Sequence, residues 1–205
     1  MKSIIFDMDG TLSDTAKATA GAVEQVCIKN GLNPVPLERI YEAMGLADLE
    51  FYAHLYPGMT CEMLKKIGDE IEEIEESTIR KLGSDMLFKG VYGMLEALQK
   101  NGNDLYIAST GGDDHVEATL SASGVKMFFK KIYCGRPEKI SMVKEIVSGS
   151  PTDNWIMIGD MYKDSEAAKT AGITALGAGF GYLKEKDRPL FAAVLDKPMD
   201  VFKYI

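Results

Sequence analysis

Apolar residues along this chain gather in short runs that break off at aspartate, serine or glycine. They span 2–6, 104–109 ("DLYIAS"), 131–134 ("KIYC"), 154–160 ("NWIMIGD"), 174–179 ("TALGAG") and 192–195 ("AAVL"). Runs of this length, bounded by turn residues, predict buried strands. Helical stretches separate most of them. Residues 113–124 open on two aspartates, which suit a helix N-terminus, and close at Gly124. Residues 139–149 close at Gly149, and 164–172 start with Asp164 as a capping residue and close at Gly172. Strands alternating with helices predict a parallel sheet with helical crossovers, an α/β fold of Rossmann-like type. In such sheets ligands gather at the carboxyl ends of the strands.

Residues 15–88 break this alternation and show no convincing strand. Leu64, Ile67, Ile71, Ile74 and Thr78 follow a three-four spacing, which predicts a helix with one apolar face. The acidic run 69–76 is then its solvated face, with Lys65–Asp69, Lys66–Glu70 and Glu76–Arg80 able to pair across one turn. The expected organisation is a core made of 1–14 and 89–205, with 15–88 as an all-helical insert.

Charge narrows the partners. The net charge is −8, and the insert carries most of it, with 13 acidic and 7 basic residues. Nucleic acid and anionic membranes require a basic face, so neither is an expected partner. No run approaches a membrane span, and too few residues precede Asp7 for the apolar core of a signal peptide. Cys27, Cys61 and Cys134 are far apart and in no CxxC pair, and they read as reduced, buried thiols. A cytoplasmic protein is expected, and both monomer and dimer stay open.

The candidate chemistry sits at strand ends. Asp7 and Asp9 close the first apolar run, two positions apart, where their charges repel. Asp160 and Asp164 close another. Carboxylates converging at one sheet edge suit a hard divalent cation, and Mg²⁺ takes oxygen ligands together with a substrate phosphate. Ser109, Thr110 and Gly111 end a third run, where a hydroxyl and freed backbone N–H groups can cradle phosphate. Arg136 and Lys139 follow a fourth and could neutralise a phosphoryl oxygen. Together these residues describe a phosphoryl-transfer site.

In order and placement, "DMDGT" (7–11), Ser109, Lys139 and "GDMYKD" (159–164) resemble the four motifs of the haloacid dehalogenase superfamily. The likeness covers nearly the whole chain. It is strongest to the phosphoglycolate-phosphatase and phosphomutase-like branch, in which a helical C1 cap follows the first motif. "DGTLSDT", "LFKGVYGMLEAL" (87–98) and "GFGY" (179–182) are also similar to that branch. Lys89 stands where the branch has the proline of "PGV", and Arg136 stands where it often has the lysine of a Lys-Pro pair. Lys139, at the start of the following helix, is the favoured cation and Arg136 the alternative.

The resemblance implies a Mg²⁺-dependent phosphatase acting on a small phosphorylated metabolite. Asp7 would be the nucleophile that forms an aspartyl-phosphate. Asp9 would protonate the leaving oxygen and then activate water. Metal ligands would come from Asp7, the Asp9 backbone carbonyl, Asp160 and Asp164, the last directly or through water. Ser109, Thr110, Gly111 and Lys139 would hold phosphoryl oxygens. The presence of Asp9 points to phosphate esters, because the dehalogenase branch attacks carbon and lacks this acid.

The cap is expected to close over the site, with linkers near 12–16 and 84–90 as hinges. No Arg or Lys lies between Arg39 and Lys65, while Tyr41, Phe51, Tyr52, His54 and Tyr56 crowd a segment expected to overhang the site around Gly45. Neutral contacts there count against a sugar phosphomutase, unless Lys17 or Arg39 supplies a cation for a second phosphate. A non-catalytic phosphate-binding regulatory protein is the other alternative, disfavoured by the complete residue set. "GAGFG" (177–181) lacks dinucleotide-loop spacing and reads as a plain loop near the site. His54 and His115 receive no role. Trp155 and the twelve methionines read as core.

Overall fold

The structure, a computed structural model, describes residues 2–44, 46, 48–149, 152 and 154–205. Gly45, around which the overhanging segment was expected, lies outside the described residues. Six strands form one parallel sheet: β1 (Ser3–Phe6), β2 (Asp104–Ala108), β3 (Phe129–Tyr133), β4 (Trp155–Gly159), β5 (Thr174–Ala178) and β6 (Ala193–Leu195). Their order across the sheet is β3-β2-β1-β4-β5-β6. The chain winds outward from β1 to β3, then returns to the other side of β1 for β4. This reversal is the point where open α/β sheets bind ligands.

Side chains alternate across each strand and sort into two apolar layers. Ile4, Phe6, Leu105, Ile107, Ile156 and Ile158 share one layer with α5 (Val91–Lys100) and α6 (Asp113–Ala122). Ile5, Tyr106, Ala108, Trp155 and Met157 share the other with α7 (Lys139–Ser148) and α8 (Tyr162–Thr170). Burial on both faces explains why the central strands β1, β2, β4 and β5 read as near-continuous apolar runs, while the edge strand β3 exposes Lys130 and Lys131.

Between β1 and α5 the described residues hold four α-helices: α1 (Ala16–Asn30), α2 (Leu37–Ala43), α3 (Asp48–Leu55) and α4 (Cys61–Leu82). They close on an apolar cluster of their own, with Leu64, Ile67 and Ile71 of α4 facing Val23, Val26 and Cys27 of α1. Gly68 lets α4 approach α3, since a Cβ there would meet the Tyr52 ring at 2.5 Å. The two linkers meet each other: the Asp14 amide donates to the Met86 carbonyl at 2.7 Å and the Phe88 amide to the Leu12 carbonyl at 3.1 Å.

Several local expectations change. Helix α8 begins at Tyr162, and Asp164 is its third residue, not its cap; its carboxylate accepts the Met161 amide at 2.9 Å. On α4 only Glu76–Arg80 of the three expected pairs forms, at 2.6 Å. Glu70 instead reaches α1, where Lys29 and Asn30 hold its Oε2 at 3.0 and 3.1 Å. Tyr52 and Tyr56 are buried inside the insert rather than overhanging the site. The three cysteines are free, but Cys61 is exposed, and so are Met63, Met127 and Met199. Among the described residues no helix is long and apolar enough to cross a membrane.

Candidate active site

Parallel strands deliver their carboxyl ends to one edge, so residues just past β1, β2 and β4 become neighbours. Asp7 follows β1 and extends its ladder, its amide donating to the Ile158 carbonyl at 2.9 Å. Asp160 follows β4, and Asp164 lies on the first turn of α8. Asp7, Asp160 and Asp164 are all buried, with carboxylate oxygens within 4.8 Å of one another.

One cation is buried with them. Lys139, the first residue of α7, places Nζ 2.7 Å from Asp7 Oδ1 and 2.6 Å from Asp164 Oδ1. Burial disfavours its ammonium, but the charges of Asp164 and Asp7 outweigh that and push its pKa up. Arg136 lies elsewhere: its guanidinium is exposed, pairs with Glu145 at 2.7 Å and covers the Tyr133 ring.

The cluster carries excess negative charge, since three carboxylates face one ammonium. Burial pushes Asp7 up to about 7, with the Asp164 charge adding to it and Lys139 opposing. Burial, followed by the Asp7 and Asp164 charges, also raises Asp160 well above the carboxylate range, although Thr11 donates to its Oδ1 at 2.9 Å. With all three carboxylates ionised, the two uncompensated negative charges would equal the charge of one divalent cation. Hard oxygen donors and this charge deficit fit a divalent metal.

Glycines keep the cluster close. Gly10 sits at φ +77°, and a Cβ there would meet Asp160 Oδ2 at 2.4 Å. The loop after β5 packs on the same turn: a Cβ on Gly181 would lie 1.7 Å from the Gly10 carbonyl oxygen. "GAGFG" is thus part of strand and turn that shapes the site from outside.

Asp9 stands outside the group of three carboxylates. Its Oδ1 lies 2.9 Å from His115 Nε2 on α6. Burial opposes the imidazolium, but the Asp9 charge and hydrogen bond, then Glu75 and Glu72, lift His115 to about 9. Ser109 is buried, and its Oγ accepts the Gly111 amide at 3.0 Å. Gly111 borders Ser109, Asp9 and His115, each within 3.3 Å of where its Cβ would stand. Thr110 is exposed to solvent.

Sequence reasoning missed His115, Glu75 and Tyr182. Glu75 lies in the run read as solvated, yet it turns inward, and Thr19 of α1 donates to its Oε1. Burial raises its pKa, against the pull of His115. Its signal was available in retrospect: Glu75 falls next to the apolar stripe at Ile71, Ile74 and Thr78. Of the five aromatic or histidine side chains noted in the insert, Tyr41 meets the core, stacking edge-on against Tyr182 at 5.5 Å. His54 faces Glu42 at 3.5 Å.

A sequence model of the haloacid dehalogenase-like hydrolases matches residues 4–178. The chain belongs to that family and is an enzyme of its hydrolase class. Among curated relatives, a 5'-nucleotidase of Pseudomonas aeruginosa is 23% identical over 90% of this chain and 86% of its own. A phosphoglycolate phosphatase of Agrobacterium fabrum is 25% identical over 97% of this chain and 88% of its own. Among solved structures, a haloacid dehalogenase-like hydrolase of Streptococcus pneumoniae superposes with a TM-score of 0.84 at 21% identity, covering 100% of this chain and 98% of that one.

Proposed function

We propose that this chain is a Mg²⁺-dependent phosphatase that hydrolyses a small phosphomonoester through an aspartyl-phosphate on Asp7. One observation carries the reading: Asp7 is buried at the sheet's reversal point with one oxygen held by Lys139 and two further carboxylates beside it. Relatives named as a phosphoglycolate phosphatase and a 5'-nucleotidase support the class of substrate.

Lys139 on Oδ1 leaves Oδ2 of Asp7 to attack phosphorus. The bond from phosphorus to the ester oxygen breaks, and that oxygen takes a proton from Asp9. Asp9, now a carboxylate, takes a proton from water as the water oxygen attacks the same phosphorus. The acyl phosphate bond breaks, returning Asp7 and releasing phosphate. Ser109, Lys139 and the backbone around Thr110 and Gly111 would hold phosphoryl oxygens. Asp7, Asp160 and the Asp9 carbonyl would hold Mg²⁺, and Asp164 would support it directly or through water, since both its oxygens already accept bonds. The bound cation supplies charge, keeping the carboxylates ionised and drawing electron density from the phosphoryl group.

A phosphomutase needs a second phosphate cradle in the insert. Lys17 is paired with Asp14 at 3.2 Å, and Arg39 reaches the Leu55 carbonyl at 3.5 Å. Both are engaged, which supports hydrolysis over mutase chemistry. Phosphate release from a panel of small monoesters and bisphosphates, with and without Mg²⁺, tests the proposal in the native chain and in Asp7→Asn. Metal-dependent release lost in the variant is expected. Isomerisation of a sugar phosphate without release, or release unchanged by Asp7→Asn, would overturn it.

A further inference from the structure

We infer that His115 is a positioning residue that orients the Asp9 carboxylate for proton delivery to the leaving group. This rests on the reading of Asp9 as the proton carrier. Among the described residues, His115 is the one hydrogen-bond partner of the Asp9 side chain. Both side chains are about three-quarters buried, at 26% and 27% exposed, so the bond is sheltered from bulk water.

The bond fixes which oxygen does what. Oδ1 accepts from Nε2, while Oδ2 lies beside Gly111, 3.3 Å from where its Cβ would stand. One oxygen is anchored, and the other borders Gly111, whose backbone is among the groups proposed to hold phosphate. The neutral ring with its proton on Nε2 and the imidazolium both make this bond, so the anchoring does not depend on the charge of the ring.

His115 is itself fixed. It lies on the first turn of α6, whose Val116 and Leu120 are buried in the core layer. Helix α4 packs across α6, and its Glu72 and Glu75 attract the ring from the insert side. Their pull and that of Asp9 act on the same imidazole. His115 therefore ties the orientation of Asp9 to the position of the insert.

Proton delivery matters only when the leaving oxygen needs a proton, whereas the later attack by water uses Asp9 for either ester. An alkoxide leaves poorly without one, whereas a nitrophenolate leaves unaided. The test measures leaving-group release in the first turnover, which precedes the attack by water, with Mg²⁺ for glycerol 2-phosphate and for p-nitrophenyl phosphate, in the native chain, His115→Ala and His115→Gln. Melting curves check that each variant is folded. In His115→Ala, first-turnover release from glycerol 2-phosphate is expected to slow about tenfold to a hundredfold, with that from p-nitrophenyl phosphate within about threefold. His115→Gln, whose amide can donate to the same oxygen, recovers most of the loss. Equal losses on both substrates, or no recovery with Gln while the native chain turns over, would overturn this inference and leave the phosphatase reading standing. No release by the native chain from either ester would overturn both.

Discussion

The Tyr182 hydroxyl donates to Asp14 Oδ1 at 2.7 Å and accepts the Ala16 amide at 2.8 Å. A residue from the loop after β5 thereby grips the linker that leads from the first motif into the insert. The ring also packs against Phe88 of the return linker and Tyr41 of the insert, at 5.7 and 5.5 Å between centroids. Burial, with the Asp14 charge behind it, holds the phenol protonated. Tyr182→Phe keeps the ring but strands two polar groups. It is expected to cost about 1–3 kcal/mol, seen as a lower Tm and as faster amide exchange across residues 14–18. Unchanged exchange there would show that the linker is held by its own backbone bonds alone.

Lys139 and Arg136 separate cleanly by substitution. Lys139→Met removes the ammonium shared by Asp7 and Asp164, and phosphate release should fall by about a hundredfold or more. Losing a buried partner also costs about 3–5 kcal/mol, so the assay is run well below the variant's Tm. Arg136→Met removes an exposed pair with Glu145 and the contact over the Tyr133 ring, and should leave kcat within about twofold. The reverse ranking would reassign the phosphate cation.

Asp7 gives a pH signature in the metal-free protein. Its folded pKa is raised from 3.8 to about 7, so its contribution to stability is complete below 3.8 and is lost as pH rises through 7. Each pH unit in that window is worth up to about 1.4 kcal/mol. With metal chelated, Asp7→Asn should melt above the native chain at pH 7 and above, and the gap should close toward pH 4. Melting curves across that range read the sign directly. A gap that widens toward acid would mean that Lys139, rather than burial, sets the Asp7 pKa.

The surroundings of two glycines predict opposite effects for two Gly→Ala changes. In Gly181→Ala the new Cβ collides with the Gly10 carbonyl, and neither backbone can yield without moving the first motif. A loss of about 1–3 kcal/mol is expected, together with reduced turnover. Gly21, mid-way along α1, has nothing within 4 Å of its Cβ position, so Gly21→Ala should stabilise by about 0.5–1 kcal/mol. Paired melting curves check both.

The sheet was legible because its central strands, β1, β2, β4 and β5, are buried on both faces and end at a polar residue or glycine. All six runs fall on strands, with boundaries shifted by a residue or two. Asp7, Asp160 and Asp164 were legible for the same reason, since parallel strands must bring their ends together. Lys139 needed more: only the coordinates show that the first side chain of α7 turns into the carboxylates while Arg136 turns out. The His115–Asp9 contact spans 106 positions between two elements and leaves no local pattern. Glu75 was hidden by its neighbours, because a run of glutamates reads as uniformly solvated when one member faces inward. Asp164 was misread as a cap because aspartate suits both the cap and the third helical position, where it accepts the cap amide instead.

The central claim is that Asp7 becomes phosphorylated. The direct measurement is chemical trapping: the native chain is mixed with Mg²⁺ and p-nitrophenyl phosphate, quenched in acid, and reduced with borohydride, which converts an aspartyl-phosphate to homoserine. Peptide mass spectrometry is expected to find homoserine at position 7 only, and none when Mg²⁺ is omitted. Homoserine at another aspartate, or steady phosphate release with Asp7 unchanged, would contradict the account.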